Sequence, residues 1–178
     1  KNKDFDEYLS LFRYKFKSDK FDISGYTILK NKNVILAMDT GSNPPKNYSE
    51  NYQSGPLSFE FFFKGKKLIT NSGYFQDHNH QLNSISKTTA THSTLTLDNS
   101  SICNFKKNTK GPSIVTKGFK TFDNEVTYEK NYWGIKCSHD GYLSRYGVIH
   151  QRNIEYDIDK CILFGKEKLV KKKNFKVT

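Results

Sequence analysis

Short hydrophobic runs and alternating segments, separated by turn residues, follow one another along most of the chain. Residues 34–38 form an apolar run that ends at Asp39, which predicts a β-strand followed by a turn. Residues 57–63 and 67–70 flank a turn that holds Gly65, which predicts a β-hairpin. The further predicted strands are residues 92–98, 114–116, 125–129, 133–139, 148–156 and 161–164. This succession favours an all-β, antiparallel β-sandwich of the supersandwich type, with little helix.

Two long polar segments, residues 42–55 and 71–86, join predicted strands and are interpreted as loops. Long loops between well-patterned strands are where binding and catalytic groups tend to lie. Residues 4–17 fit a short amphipathic helix and an alternating strand equally well, so both interpretations stay open.

The charge of the chain adds a class of partner to this picture. Its 178 residues carry 29 Lys and Arg against 18 Asp and Glu, a formal charge of +11. This balance favours polyanionic partners, although lysines spread evenly over a solvated surface would give the same number. Much of the excess lies in residues 166–176. We predict a connecting segment at residues 1–24, one sandwich domain at 25–169 and a basic tail at 170–178.

Cysteine content and hydropathy exclude several classes of protein. Cys103, Cys137 and Cys161 are too few and too scattered for a disulfide framework, so we expect buried free thiols. A single disulfide with one thiol left over is the alternative. No apolar run reaches the length of a membrane-spanning helix, and no signal peptide is visible.

Five stretches, grouped in three regions, combine strand patterns with chemically active residues. They are GPLSFEF (55–61), NSG (71–73), KTTATHSTLTLD (87–98), SHDGY (138–142) and YGVIHQR (146–152). In this order they resemble the C-terminal β-sandwich domain of the heparinase II/III-like family, within the polysaccharide lyase superfamily. The resemblance covers about residues 25–169.

The resemblance implies a two-part enzyme, in which the sandwich packs against an N-terminal α/α-toroid domain of the same chain. Such lyases cleave uronic-acid-containing, acidic polysaccharides by β-elimination. One group neutralises the uronate carboxylate, a base removes the C5 proton and an acid protonates the departing oxygen. The toroid supplies most of these groups, so we expect this chain to be catalytically incomplete alone.

The cellular location depends on sequence that precedes the first residue, Lys1. The SHDGY and YGVIHQR stretches resemble a bacterial branch of the family. If a signal lies upstream, we expect the protein in the periplasm or cell envelope, and otherwise in the cytoplasm.

His92 matches the family's histidine and is the predicted catalytic residue. It lies at the start of the predicted strand 92–98, on a polar face with Thr94 and Thr96. A histidine suits either proton role because its pKa lies near neutrality. The alternative is a structural histidine that bonds a loop carbonyl. Lys87 occupies the family's basic position and is a predicted substrate contact, without the two-pronged geometry of arginine.

Four further residues are candidates for substrate binding. Tyr52 and Tyr74 lie in or beside the polar loops, where their rings would stack on sugars. His150 and Arg152 are placed to line a sugar-binding groove, in which Arg152 would bind a carboxylate or sulfate through two hydrogen bonds. Asp140-Gly141 is instead interpreted as a β-turn, with His139 capping a strand end.

Some relatives hold a metal in the sandwich through histidines and an aspartate that matches Asn71 here. The upstream ligand position falls near Gln53, so two of three ligands are replaced by weak neutral groups. Because zinc prefers imidazole or anionic ligands, we expect no metal cofactor. A different zinc site, built from Asn71, His78, His80 and His92, is the alternative.

Two functions remain open at this point. The first is the sandwich part of a polysaccharide lyase, and the second is a non-catalytic module that binds carbohydrate or other polyanions. Charge alone supports a nucleic-acid partner, and since no nucleic-acid motif is present we expect none.

Overall fold

The computed structural model describes residues 20–23, 25–108 and 111–172. The predicted helix or strand at residues 4–17 lies outside these residues. The strands are β1 (Lys20–Ile23), β2 (Tyr26–Lys30), β3 (Val34–Asp39), β4 (Phe59–Phe63), β5 (Lys66–Ile69), β6 (Asn104–Asn108), β7 (Gly111–Lys117), β8 (Thr121–Tyr128), β9 (Tyr132–His139), β10 (Val148–Asp157) and β11 (Ile162–Lys171). The helices are α1 (Gln81–Ser86) and α2 (Leu143–Tyr146), with 3₁₀ turns at Lys46–Tyr48 and Thr89–Thr91.

The described strands form three antiparallel sheets. Their orders are β1-β2-β3-β4-β5, β11-β10-β9-β8 and β6-β7. Leu36 and Met38 from the first sheet share one buried core with Trp133 and Ile135 from the second. The two larger sheets therefore pack face to face, and the predicted all-β sandwich is confirmed.

Strand β10 shows how the sequence builds this core. Ile154 and Tyr156 are buried against the first sheet, whereas the alternate residues Gln151 and Asn153 are half-exposed on the outer face. This period of two is the pattern from which the strand was predicted. The predicted hairpin is also confirmed, because β4 pairs antiparallel with β5.

The predicted strand at residues 92–98 is wrong. Only Leu97 makes a bridge there, to Ser100, and the polar side chains bond to backbone instead. Ser93 Oγ donates to the Phe59 carbonyl at 2.5 Å, and Thr94 Oγ1 donates to the Pro56 carbonyl at 2.7 Å. Side-chain bonds of this kind compete with a strand ladder, so the segment lies as a loop beside β4.

Two other segments differ from their predictions. The segment 71–86 was predicted as a loop throughout, but its last six residues form α1, which is too short for a helical period to be visible. Strand β11 continues to Lys171, so much of the basic stretch is strand. The boundaries at residues 24 and 169 stay predictions. We note that β1 pairs with β2 ahead of residue 25.

A second, smaller core lies under the loops. It contains Ile102, Cys103, Val115 of β7, Phe119 and Tyr142. Cys103 and Cys137 are buried free thiols, whereas Cys161 is exposed. In the described part of the chain, no helix has the length and apolarity that a membrane crossing requires.

Candidate functional site

A partly enclosed cleft of about 140 Å³ lies where the first sheet meets the loops. It is lined by Tyr26, Asp39, Asn51, Tyr52, Gln53, Gly55, Ser58, Asn71 and His92. We call it the His92 cleft. Its lining combines aromatic rings, amides and hydroxyls with a carboxyl and an imidazole, and contains no lysine or arginine. Such a lining is suited to uncharged, hydroxyl-rich groups.

The fold brings these residues together from distant parts of the sequence. The register of the first sheet places Tyr26 of β2 opposite Asp39 of β3. His92 follows the 3₁₀ turn Thr89–Thr91 and lies against Gly55. A Cβ at Gly55 would lie 2.6 Å from His92 Cδ2, so only glycine leaves room for this ring.

Both ring nitrogens of His92 have partners. Nδ1 lies 2.8 Å from the Thr88 carbonyl, and Nε2 lies 3.0 Å from the side-chain amide of Gln53. Because a carbonyl only accepts, the proton lies on Nδ1, and the neutral ring offers Nε2 as an acceptor. Gln53 turns its Oε1 toward Nε2, so the neutral ring requires this carboxamide to rotate by 180°, which brings its NH₂ group to Nε2. Burial lowers the pKa of His92, with the Thr88 bond opposing it, so the neutral ring is favoured.

Asp39 is a buried carboxyl without a cationic partner among the described residues. Burial raises its pKa from 3.8 to about 7, partly opposed by the N–H of Gly41, which donates to Oδ1 at 3.2 Å. Near neutral pH this group can therefore hold or release a proton. Carboxyls with such pKa values often lie at functional sites.

The hydroxyl of Tyr52 is buried and has no hydrogen-bond partner among the described residues. Burial, followed by the nearby Asp39 carboxyl, raises the pKa of Tyr52, so its hydroxyl stays protonated. Burial and Asp39 also raise the pKa of Tyr26, to about 12. An unpaired buried hydroxyl destabilises a fold, and its position on a cleft makes it a candidate ligand contact. The predicted site residue Tyr52 thus lies beside His92.

Lys87 and Tyr74 lie near the His92 cleft but do not line it. Lys87 is 1% exposed, and its ammonium donates to the carbonyls of Glu50 and, at 2.9 Å, Ser113. The hydroxyl of Tyr74 donates to Asn51 Oδ1 at 3.1 Å. These contacts favour a structural role for Lys87, and its predicted substrate contact stays a prediction. Tyr74 holds a lining residue in place.

His150 and Arg152 belong to a chain of hydrogen bonds with His139 and Glu167, which we call the buried network. The Gly141 N–H donates to His139 Nδ1 at 3.0 Å, so His139 carries its proton on Nε2. That nitrogen donates to His150 Nδ1 at 2.9 Å, and His150 Nε2 donates to Glu167 Oε2 at 2.5 Å. Each nitrogen of both neutral rings is used once.

Arg152 completes this network and ties it to the loops. Its Nε donates to Glu167 Oε1 at 2.6 Å, and its Nη1 donates to the carbonyls of Leu57, at 2.6 Å, and Ser93. Ser93 directly follows His92, so Arg152 fixes the backbone that carries the cleft histidine. His150 is fully buried and Arg152 is 6% exposed. These positions favour a structural role for both, and their predicted substrate contact stays a prediction.

The electrostatics of the buried network follow from its burial. Burial, and after it the neighbouring His150 and Arg152, hold the pKa of His139 well below 6.5. Burial acts to raise the pKa of Glu167, but the hydrogen bond from His150 and the charge of Arg152 outweigh it and lower that pKa. At neutral pH the network therefore contains an ionised Glu167 paired with Arg152, beside a neutral His139 ring.

The β-turn predicted at Asp140-Gly141 is confirmed by its hydrogen bonds, and Ser138 and His139 before it belong to β9. The N–H of Leu143 donates to the Asp140 carbonyl at 2.8 Å. The Asp140 side chain accepts from the N–H of Lys120 at 2.7 Å, which fixes the turn against the start of β8.

The residues at the relatives' metal position do not fit a zinc ion. Gln53 bonds directly to His92, and Asn71 Oδ1 accepts from the N–H of Ser93 at 2.8 Å. These groups satisfy one another, and two of the three are neutral amides, which zinc binds weakly. The expected absence of a metal stays a prediction.

The alternative metal set does not assemble either. His78 and His80 are exposed in the segment before α1, and His80 Nδ1 accepts from the Leu82 N–H at 3.1 Å as the cap of that helix. Among the described residues, no group of three or more His, Cys, Asp or Glu has the arrangement of a metal site.

Sequence reasoning missed Asp39, Tyr26 and Gly55 as members of the cleft. Asp39 was visible only as the end of an apolar run, and nothing in the sequence showed that it would be buried without a cation. Glycine at position 55 is explained only by the ring that lies against it.

The fold is similar to that of known lyases. It matches a crystal structure of heparan sulfate lyase HepC from Pedobacter heparinus with a TM-score of 0.65 and 18% identity, covering 94% of this chain and 27% of that one. A mutant of the same lyase matches with a TM-score of 0.59 and 18% identity, covering 86% and 25%. The chain thus spans about a quarter of the length of these structures.

Sequence comparison gives the family. A search against curated proteins finds no significant match. The family described as heparinase II/III-like, C-terminal, matches residues 15–178, nearly the whole chain. The resemblance seen in the sequence is therefore confirmed, and the chain belongs to the heparinase II/III-like, C-terminal family.

Proposed function

We propose that this chain is the sandwich part of a polysaccharide lyase that acts by β-elimination on uronic-acid-containing, acidic polysaccharide. Family membership supports a lyase, and the similar solved structures act on heparan sulfate according to their names. Because those structures are about four times longer, the remaining catalytic groups are assigned to an α/α-toroid domain outside these residues.

One observation carries the proposal: His92, Tyr52 and Asp39 line a common cleft, and the buried Tyr52 hydroxyl has no hydrogen-bond partner among the described residues. The Thr88 carbonyl holds the His92 proton on Nδ1, which leaves the Nε2 lone pair as the acceptor. If a substrate group displaces Gln53 from Nε2, the lone pair of Nε2 can accept a proton from that substrate.

The chemistry divides between the two parts of the enzyme. In β-elimination a base takes the C5 proton, the bond from C4 to the departing oxygen breaks with formation of the C4–C5 double bond, and an acid protonates that oxygen. His92 would serve in one of these proton transfers. The cleft has no cation, so the group that neutralises the uronate carboxylate would come from the toroid domain.

A second candidate function is a non-catalytic module that binds carbohydrate. The partners on both ring nitrogens of His92 favour it, because a ring held by the Thr88 carbonyl and Gln53 is also what a structural histidine requires. In this case the His92 cleft would bind a sugar without reaction.

The full-length protein tests the two functions. We expect acidic polysaccharide to yield unsaturated uronate, followed by its absorbance, and the His92→Ala variant to lose about 100-fold or more in turnover. His78→Ala is the matched control, because His78 is exposed in a loop, and it should keep full turnover. Absence of product from a folded protein on a panel of uronate polymers would reject the lyase.

The position of His92 and the division of labour are tested separately. Full turnover by His92→Ala would remove His92 from the reaction and leave the family unchanged. The 178-residue chain alone should show little or no turnover, since the toroid domain holds the other groups. Substantial turnover by it would contradict the two-part enzyme.

A further inference from the structure

The outer face of the second sheet carries a cluster of basic and amide side chains. Five residues line a depression of about 180 Å³ there: Lys136, Gln151, Asn153, Lys166 and Lys168. We call this cluster the basic face. It shares no residue with the His92 cleft.

The register of the sheet sets the spacing of the basic face. Lys136 of β9 pairs with Asn153 of β10, which pairs with Lys166 of β11, so one row crosses three strands. Lys168 lies two residues further along β11, opposite Gln151. Neighbouring strands lie about 4.8 Å apart and each residue rises about 3.3 Å, so the lysine backbones are separated by about 7 to 12 Å. The three lysine backbones thus form a triangle over the sheet, with its right angle at Lys166.

The chemistry of the basic face is that of an anion-binding surface with hydroxyl contacts. Lysine ammoniums only donate hydrogen bonds, whereas the two carboxamides both donate and accept. Lys136 pairs with Glu125 at 2.7 Å, and Asn153 Nδ2 donates to Glu155 at 2.5 Å. Lys166 and Lys168 make no ion pair within the described residues, so their charges are available to a ligand.

Protection of a sheet edge explains only part of this cluster. Strand β11 is an edge of the second sheet, and lysines on edge strands discourage pairing with other chains. Lys136 and both amides, however, lie on the inner strands β9 and β10, where no edge needs protection. Lys136 is paired with Glu125, and edge protection does not explain the two amides; a ligand that spans the face would explain why they lie beside the unpaired Lys166 and Lys168.

We propose that the basic face binds a strand of polysaccharide bearing carboxylates or sulfates, as a secondary site outside the His92 cleft. The cleft has no lysine or arginine, so within the described residues it cannot neutralise a polyanion. Lys136, Lys166 and Lys168 would meet successive anionic groups, and Gln151 and Asn153 would bond sugar hydroxyls. This proposal rests on the proposed function in one respect, the choice of an acidic polysaccharide as the ligand.

A charge-matched pair of double variants tests this site in the full-length protein. Lys166→Ala/Lys168→Ala removes two charges from the basic face, and Lys106→Ala/Lys107→Ala removes two exposed charges from β6. Affinity is measured by calorimetry with heparin as the sulfated probe, polygalacturonate as the carboxylated probe and dextran as the neutral one. The His92→Ala background is used throughout, to limit cleavage.

On the basis of exposed ion pairs, we expect the basic-face variant to bind a polyanion about 5- to 20-fold more weakly and the β6 variant less than twofold. Added salt should weaken binding by the native face, because it screens exposed charges. Unchanged melting temperatures would show that both variants fold.

Equal loss in both double variants, or no loss in either, would overturn the site. Double-stranded DNA bound as tightly as heparin, with the same dependence on Lys166 and Lys168, would reject polysaccharide as its occupant. These results differ from failure of the proposed function, which is read from product formation. If the basic-face variant keeps its affinity and turnover depends on His92, only the basic face is rejected. If the variant loses affinity and the protein forms no product, only the lyase is rejected.

Discussion

The His92 cleft and the buried network both contain histidine and a carboxylate, but they use them in opposite ways. In the network every nitrogen of His139 and His150 has a protein partner, and Glu167 pairs with Arg152. In the cleft the Tyr52 hydroxyl is unpaired and Asp39 has no cation among the described residues. The difference indicates that the network stabilises the fold, whereas the cleft keeps hydrogen-bonding capacity at a cost in stability.

The two regions also respond oppositely to pH. The pKa of His139 is held well below 6.5 in the fold, so as the pH falls His139 is protonated in the unfolded chain before it is protonated in the folded protein. Acid therefore lowers the free energy of unfolding below about pH 6.5. Asp39 binds its proton more tightly in the fold than in the unfolded chain, so its contribution is lost as the pH rises.

The largest effect should come from breaking the buried network at Arg152. Arg152→Leu leaves Oε1 of Glu167 and the carbonyls of Leu57 and Ser93 without their arginine donor and removes the charge that balances Glu167. We expect the free energy of unfolding to fall by about 3 kcal/mol, measured by urea titration, since Glu167 keeps some contact with water. Arg145→Leu, at an exposed arginine of α2, is the control and should change it by less than about 0.5 kcal/mol. A loss below about 1 kcal/mol at Arg152 would contradict the stabilising role.

An intermediate effect, of opposite sign, should come from Asp39→Asn. Burial raises the pKa of Asp39 from 3.8 to about 7, so ionising it destabilises the fold increasingly between those two pH values. The variant removes this cost, and we expect it to gain about 2 kcal/mol relative to the native protein between pH 4 and pH 7, after allowance for solvent in the cleft. Unfolding free energies at several pH values measure it. A difference between the two proteins that does not change with pH would contradict the assignment.

Much of the fold was predictable from the sequence because alternation reports burial directly. Strand β10 was predicted within one residue of its bounds, and its inward residues Ile154 and Tyr156 alternate with half-exposed neighbours, although the adjacent Ile149 and His150 are both buried. The same reasoning failed for residues 92–98, where Ser93 and Thr94 bond the backbone of residues 56–59 instead of a neighbouring strand. Side-chain hydrogen bonds to distant backbone leave no period in a sequence.

The site was predictable only in part. His92 and Tyr52 came from the resemblance and from the loop composition, and both line the cleft. Asp39 was missed because its pKa depends on burial created by residues far away in the sequence. Arg152 was expected to line a sugar-binding groove, and its burial follows from three partners that only the fold brings together.

The smallest effect on stability, with a clear effect on function, should come from Tyr52→Phe. This change deletes only the hydroxyl that has no partner among the described residues. Removal of an unpaired buried hydroxyl should leave the free energy of unfolding unchanged or raise it slightly. Tyr48→Phe is the matched control, because Tyr48 is 81% exposed and lies outside the cleft.

The turnover of the full-length Tyr52→Phe variant on acidic polysaccharide, measured beside its urea unfolding, tests most directly whether the His92 cleft exists for a ligand. We predict turnover at least about tenfold lower, equivalent to one lost hydrogen bond, with unfolding free energy equal to or above that of the native protein. Full turnover would contradict the account, because the hydroxyl would then have no role in the reaction. A loss of stability above about 1 kcal/mol would also contradict it, because the hydroxyl would then stabilise the fold.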